Sequence, residues 1–94
     1  MSPPLFEAHI TYDIEHKSRV AALCPHGWKF SKIDGDPVMG TKVFCYLTSY
    51  RNDDQELLRA ARAAVGMVGV LPLRLKIERI VYDSKIERNE IECT

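Results

Sequence analysis

His9-Ile10-Thr11 places an imidazole and a hydroxyl at alternate positions, and on an extended backbone residues so spaced project from one face. An imidazole titrates near neutral pH and moves protons; a hydroxyl beside it can hold an oxyanion. These two are the candidate catalytic residues. Phe44 with Tyr46, and Lys76 with Glu78, repeat the same spacing further along the chain. Joined to His9 and Thr11, they make a candidate ligand-binding set that combines aromatic surface with charge of both signs.

Other reactive side chains have simpler explanations. Asp34-Gly35-Asp36-Pro37 brings two carboxylates together, but a cation such as Ca²⁺ takes six to eight oxygens, and Asp-Gly with Asp-Pro is ordinary turn chemistry. No metal and no cofactor is expected. His16 falls on the apolar stripe of a short helical segment and His26 in its stop, so both read as structural. Cys24, Cys45 and Cys93 form no C-x-x-C pair, which signals neither a zinc knuckle nor a disulfide framework and points to a reducing, cytoplasmic setting. Cys24 and Cys45 are expected to face inward as inert thiols, with Cys93 open to oxidation. Acyl-phosphate chemistry would need an anion-cradling turn after the first strand, where Asp13-Ile14-Glu15-His16 is acidic instead.

The totals narrow the function classes. A chain of 94 residues with 46% hydrophobic and 28% charged side chains is one small globular domain with a thin core. Its 13 basic and 13 acidic residues cancel, which removes the cationic surplus that drives nucleic-acid binding. Met1-Ser2-Pro3-Pro4 opens no secretory leader, and no apolar run reaches bilayer length, so a membrane partner is not expected.

The elements that must position these residues follow from periodicity. Phe6 to Ile14 alternates, with Ala8, Ile10, Tyr12 and Ile14 inward and Glu7, His9, Thr11 and Asp13 outward. Glu15 to Cys24 shifts to helical spacing, with His16, Val20, Leu23 and Cys24 as its stripe and Pro25-His26-Gly27 as its stop. Trp28 to Asp34 is a second strand, with Trp28 and Phe30 on one face and Lys29, Ser31 and Ile33 on the other. Lys42 to Tyr50 is a third, with Val43, Cys45 and Leu47 inward. Asp53 and Glu56 form a variant capping box for a second helix whose stripe is Leu57, Leu58, Ala61, Ala64, Val65 and Val68. Gly69 and Pro72 end it. Leu73 to Tyr82 is the last strand, with Leu75, Ile77 and Val81 inward and Arg74, Lys76, Glu78, Ile80 and Tyr82 outward. One domain spans 1–82, and 83–94 is a charged C-terminal tail.

Strand, helix, strand, strand, helix, strand is the α+β pattern of a ferredoxin-like βαββαβ two-layer sandwich, a four-stranded antiparallel sheet with two helices on one face. The first and third strands are then central, and their outer rows stand on a face that this chain leaves open. Such a face suits a non-catalytic module that pairs as a homodimer, binds a small molecule, or both. His9-Ile10-Thr11 resembles the H-x-T element of the two-histidine phosphoesterases. That resemblance implies phosphoester chemistry at His9 and Thr11; the family carries the element twice, so a dimer would have to supply the second copy. Phe44 and Tyr46 in Gly40-Thr41-Lys42-Val43-Phe44-Cys45-Tyr46 are spaced similarly to the stacking pair of the RNA-recognition motif, which implies single-stranded RNA as a third option.

Overall fold

The computed structural model describes residues 4–33 and 43–80. The turn around Asp34 and Asp36, the residues Val81 and Tyr82, and the tail with Cys93 lie outside them. The chain runs β1 (Leu5–Asp13), a single 3-10 turn (Ile14–His16), α1 (Lys17–Ala22), β2 (Lys29–Ile33), β3 (Phe44–Arg51), α2 (Asp54–Val68) and β4 (Arg74–Ile80). The four strands form one antiparallel sheet in the order β2-β3-β1-β4.

Alternation along the two central strands decides which face is the core. Ala8, Ile10 and Tyr12 of β1 are fully buried, as are Cys45 and Leu47 of β3. Val20 of α1 and Ala61, Ala64 and Val68 of α2 join that same cluster, so both helices close over one row of apolar side chains. Trp28, Phe30 and Leu75 pack at its edge. Small residues on α2 let the helix sit close to the sheet, and the aliphatic rows beneath supply the area whose burial stabilises it. No described element packs on the opposite face.

α2 is delimited by its ends. The Asp53 carboxylate accepts from the backbone N–H groups of Gln55 at 2.9 Å and Glu56 at 3.4 Å, satisfying donors the first turn leaves open. Among the described residues Glu56 returns no bond to Asp53, so the expected capping box is only half made. At the other end Gly69 adopts a left-handed φ of 80° and its N–H donates to Val65 O at 3.0 Å. Arg19 of α1 reaches across to donate from Nε to Val68 O at 2.6 Å, placing a cation against the negative end of α2.

The first crossover departs from the expected single helix. The Asp13 side chain accepts from Glu15 N at 3.0 Å and caps a 3-10 turn, and only six residues of α-helix follow. That turn advances the phase of the segment. Val20 stays in the core, but Leu23 is 40% exposed and His16 lies half exposed beside Glu15, with 3.3 Å between Nε2 and Oε2. Of the expected stripe of His16, Val20, Leu23 and Cys24, Val20 lies in the core and Cys24 at its margin, while His16 and Leu23 are corrected to the outside. The Ser49 hydroxyl, buried on the core face, donates to Gly27 O at 2.7 Å and pins the return loop to β3.

The two glycines near the end of α2 should respond oppositely to alanine. A Cβ at Gly66 meets nothing within 4 Å, whereas one at Gly69 would stand 2.8 Å from Arg19 Nη2 on a left-handed backbone. Urea denaturation should show Gly66→Ala more stable by about 0.5–1 kcal/mol. Gly69→Ala should be less stable by about 1–2 kcal/mol. Shifts of the same sign would contradict this account of the helix end.

Candidate functional site

The strand register converts the outer face into rows of side chains that run across the sheet. Ser31 pairs with Tyr46, Tyr46 with Thr11, and Thr11 with Arg74, so one row crosses all four strands. The next row is Lys29, Thr48, His9 and Lys76. Beyond it Glu7 stands between Tyr50 and Glu78. Positions two apart on each strand fall in successive rows, which is why alternation alone put His9, Thr11, Tyr46 and Lys76 on a common face.

Between the first two rows lies an open hollow of about 240 Å³, lined by His9, Thr11, Ser31, Tyr46, Arg74 and Lys76. Four of the six expected ligand-binding residues thus line one depression. Glu78 stands beside it and pairs with Lys76, 3.2 Å from Oε2 to Nζ. Phe44 also stands outside the lining and meets Tyr46 edge to face, with ring centroids 6.5 Å apart. Ser31 and Arg74 complete the lining; sequence reading put both on the outer face but gave no reason to join them. Their signal is the register, which places them at the two ends of the row through Thr11 and Tyr46.

His9 is held on both sides. Its Nε2 lies 3.2 Å from Glu7 Oε1 and its Nδ1 3.4 Å from Thr48 Oγ1. The Tyr50 hydroxyl donates to the other Glu7 oxygen at 2.7 Å, and the Tyr46 ring stands edge-on to the imidazole at 6.3 Å. A carboxylate on one ring nitrogen orients an imidazole and fixes its tautomer. Here that carboxylate and the Thr48 hydroxyl occupy both nitrogens, so the ring presents a wall to the hollow rather than a vacant lone pair. Glu7, Thr48 and Tyr50 are the partners that sequence reasoning missed. All three lie at alternate positions on the two central strands, but pairing them with His9 required the register.

The hydroxyls of Thr11, Ser31 and Tyr46 and the guanidinium of Arg74 differ in kind. Among the described residues none of these four has a hydrogen-bond or ion-pair partner. This row is a line of donors with no protein partner, beside a row in which Thr48, His9 and Lys76 have theirs. Among the described residues no three His, Cys, Asp or Glu side chains converge as a metal ion would require, and no helix is long and apolar enough to cross a membrane. Comparison of the chain with protein-family models, with curated proteins and with solved structures finds no match.

Among the described residues, burial disfavours ionisation of both thiols and of one phenol. Burial pushes the Cys24 and Cys45 thiols above their ordinary value; for Cys45 the Asp13 carboxylate adds to the push and Lys17 works against it. Burial also raises the Tyr12 phenol, with Cys45 adding to it. A group whose pKa is raised by folding stabilises fully below its unfolded value, and the contribution is lost as pH climbs through the folded value. Stability measured in urea should therefore fall as pH rises above about 8.5. Cys45→Ala should flatten that fall, and native Cys45 should alkylate only as fast as the protein opens. A stability that stays level to about pH 10 would show that these groups titrate as they do in the unfolded chain.

Proposed function

We propose that this chain is a binding module that takes a small molecule in the hollow on its open sheet face. The observation that carries this reading is the line of donors along Ser31, Tyr46, Thr11 and Arg74 that have no protein partner among the described residues. Neighbouring charges on this face pair along their own strands, Lys76 with Glu78 on β4 and Glu7 with His9 on β1. Here one row keeps its donors free, at a depression, with an aromatic ring in its wall. The volume, below the roughly 300–1,000 Å³ that houses drug-sized molecules, restricts the occupant to a small one.

We extend the fold to the ferredoxin-like βαββαβ type on the strand order β2-β3-β1-β4 together with the two crossovers on the core side. In that type the outer rows of the two central strands form the middle of the uncovered face, where the hollow lies.

Two other uses of the face weigh less. Pairing two copies through it is favoured by the Phe44 and Tyr46 rings, but would take the donors of this row and the Arg74 and Lys76 charges out of water. A phosphoesterase built on His9 and Thr11 is favoured by their shared place in the lining. It would need an imidazole nitrogen free to exchange a proton with substrate, and both nitrogens are engaged. Single-stranded RNA would need Phe44 and Tyr46 as stacking surfaces, and these rings instead engage each other edge to face.

Amide chemical shifts of the labelled protein, titrated with pools of small sugars, nucleotides, amines and organic acids, test the reading. Perturbations should gather at Thr11, Ser31, Tyr46 and Arg74 and spare α2. Shifts spread over the helices, or none from any pool, would remove it. Turnover of a phosphodiester in the same samples, abolished by His9→Ala, would replace it with the phosphoesterase.

A further inference from the structure

Building on that binding role, we infer that the ligand is a small phosphate monoester, its phosphate held by Arg74, Lys76 and Thr11 and its body laid over Tyr46 toward Ser31.

The lining has a definite sign. Its side chains include two permanent cations and three hydroxyls, and no carboxylate. The carboxylates of the adjoining rows already have partners: Glu7 in His9 and the Tyr50 hydroxyl, Glu78 in Lys76, and Asp13 in the Glu15 N–H. Among the described residues Arg74, in the lining itself, has no counter-charge; it stands on the edge strand β4 directly across from Thr11. Lys76, two residues on, shares its ammonium with Glu78 but carries three N–H donors, so it can serve a second acceptor.

The count of donors separates phosphate from other anions. A carboxylate offers two oxygens in one plane, and with both on the Arg74 fork in a bidentate pair it has no third oxygen to turn toward Lys76 and Thr11. A terminal phosphate offers three oxygens and close to two negative charges near neutral pH. One edge can meet the Arg74 fork while the remaining oxygen accepts from Lys76 and Thr11. The volume of about 240 Å³ is several times the share of a water molecule, roughly 30 Å³, so the hollow has room for an organic group beside the phosphate. The Tyr46 ring provides a surface for that group and Ser31, at the far end of the row, a hydroxyl for its polar end.

The row's length agrees with this orientation. Ser31 and Arg74 stand on opposite edge strands, three strand spacings of roughly 4.8 Å apart. A ligand with its anion at one edge and a short polar body reaching inward spans that row; inorganic phosphate would fill only the β4 end. The inferred order of affinity is therefore phosphate monoester above inorganic phosphate, and both above a carboxylate of the same body.

Isothermal titration calorimetry with phenyl phosphate, benzoate, benzyl alcohol and inorganic phosphate, read beside amide shifts, tests this. Phenyl phosphate should bind at least about tenfold tighter than benzoate, and benzyl alcohol weakest. Arg74→Gln should lose about tenfold for phenyl phosphate, whereas Arg62→Gln, which removes an equal charge from the exposed side of α2, should lose little. Thr11→Val keeps the β-branched shape and serves as a second variant should Arg74→Gln fold poorly; it should weaken phenyl phosphate by about threefold and leave benzyl alcohol unchanged. Equal affinity for the three aromatic probes, or equal losses in Arg74→Gln and Arg62→Gln, would overturn the phosphate assignment while leaving a small-molecule site in place. Hollow residues that respond to none of the four probes but do respond to another pool would overturn the assignment alone; silence from every pool would remove the binding role as well.

Discussion

A shift of a single residue in the pairing of β1 would turn every side chain of that strand to the opposite face. His9 and Thr11 would enter the helical layer, and Ala8, Ile10 and Tyr12 would meet solvent. What prevents the shift is the burial of all three, with Ile10 and Tyr12 in one cluster with Cys45, Leu47 and the small residues of α2. Exposing even one such side chain costs about 1.5–3 kcal/mol, a large part of the stability of so small a domain. The apolar row therefore fixes the polar row on its reverse, although no apolar residue takes part in the site. The core is what makes the outer face reproducible.

Given that register, the reverse side divides by how its donors are used. The rows holding His9 and Glu7 close on themselves through an imidazole, a hydroxyl, a phenol and a carboxylate. The row holding Thr11 does not. A solvated face tolerates free hydroxyls, because water supplies the missing acceptors at little cost. What sets this row apart is the alignment, along one depression, of three hydroxyls with a guanidinium unpaired among the described residues, next to a row in which His9, Thr48 and Lys76 have partners. The orientation of His9 by Glu7 and Thr48 has a second consequence: it holds a ring wall beside Tyr46, with the Glu7 carboxylate engaged by His9 and the Tyr50 hydroxyl.

Much of this was legible from alternation alone. The inward and outward rows of the first, third and last strands follow from Ala8, Ile10 and Tyr12, from Cys45 and Leu47, and from Leu75, because apolar residues at every second position leave a strand one way to face. The start of α2 was legible because an Asp before a helical stripe is a strong local signal, and its end because Gly69 takes a conformation other residues avoid. The first crossover was less so. Asp13 caps a 3-10 turn that rotates the following helix, and no periodicity over ten residues distinguishes that from one continuous helix; hence His16 and Leu23 were assigned to the wrong side. Within the site, alternation gives the face of a residue but not its neighbour across the strand. Tyr46 and Lys76 could be chosen from their chemistry, while Ser31 and Arg74 became members only through pairing with Tyr46 and Thr11. Phe44 and Glu78 share the face and stand beside the hollow for the same reason.

The central claim is that one side of this sheet is roofed and the other is not, with the rows of β1 divided between them. Relaxation enhancement of side-chain protons by a soluble gadolinium chelate reads that division along a single strand. The account predicts alternation on β1: strong enhancement at His9 and Thr11, and little at Ala8, Ile10 and Tyr12. Strong enhancement at Ile10 and Tyr12 with protection of His9 and Thr11, or equal protection of both sets, would contradict it.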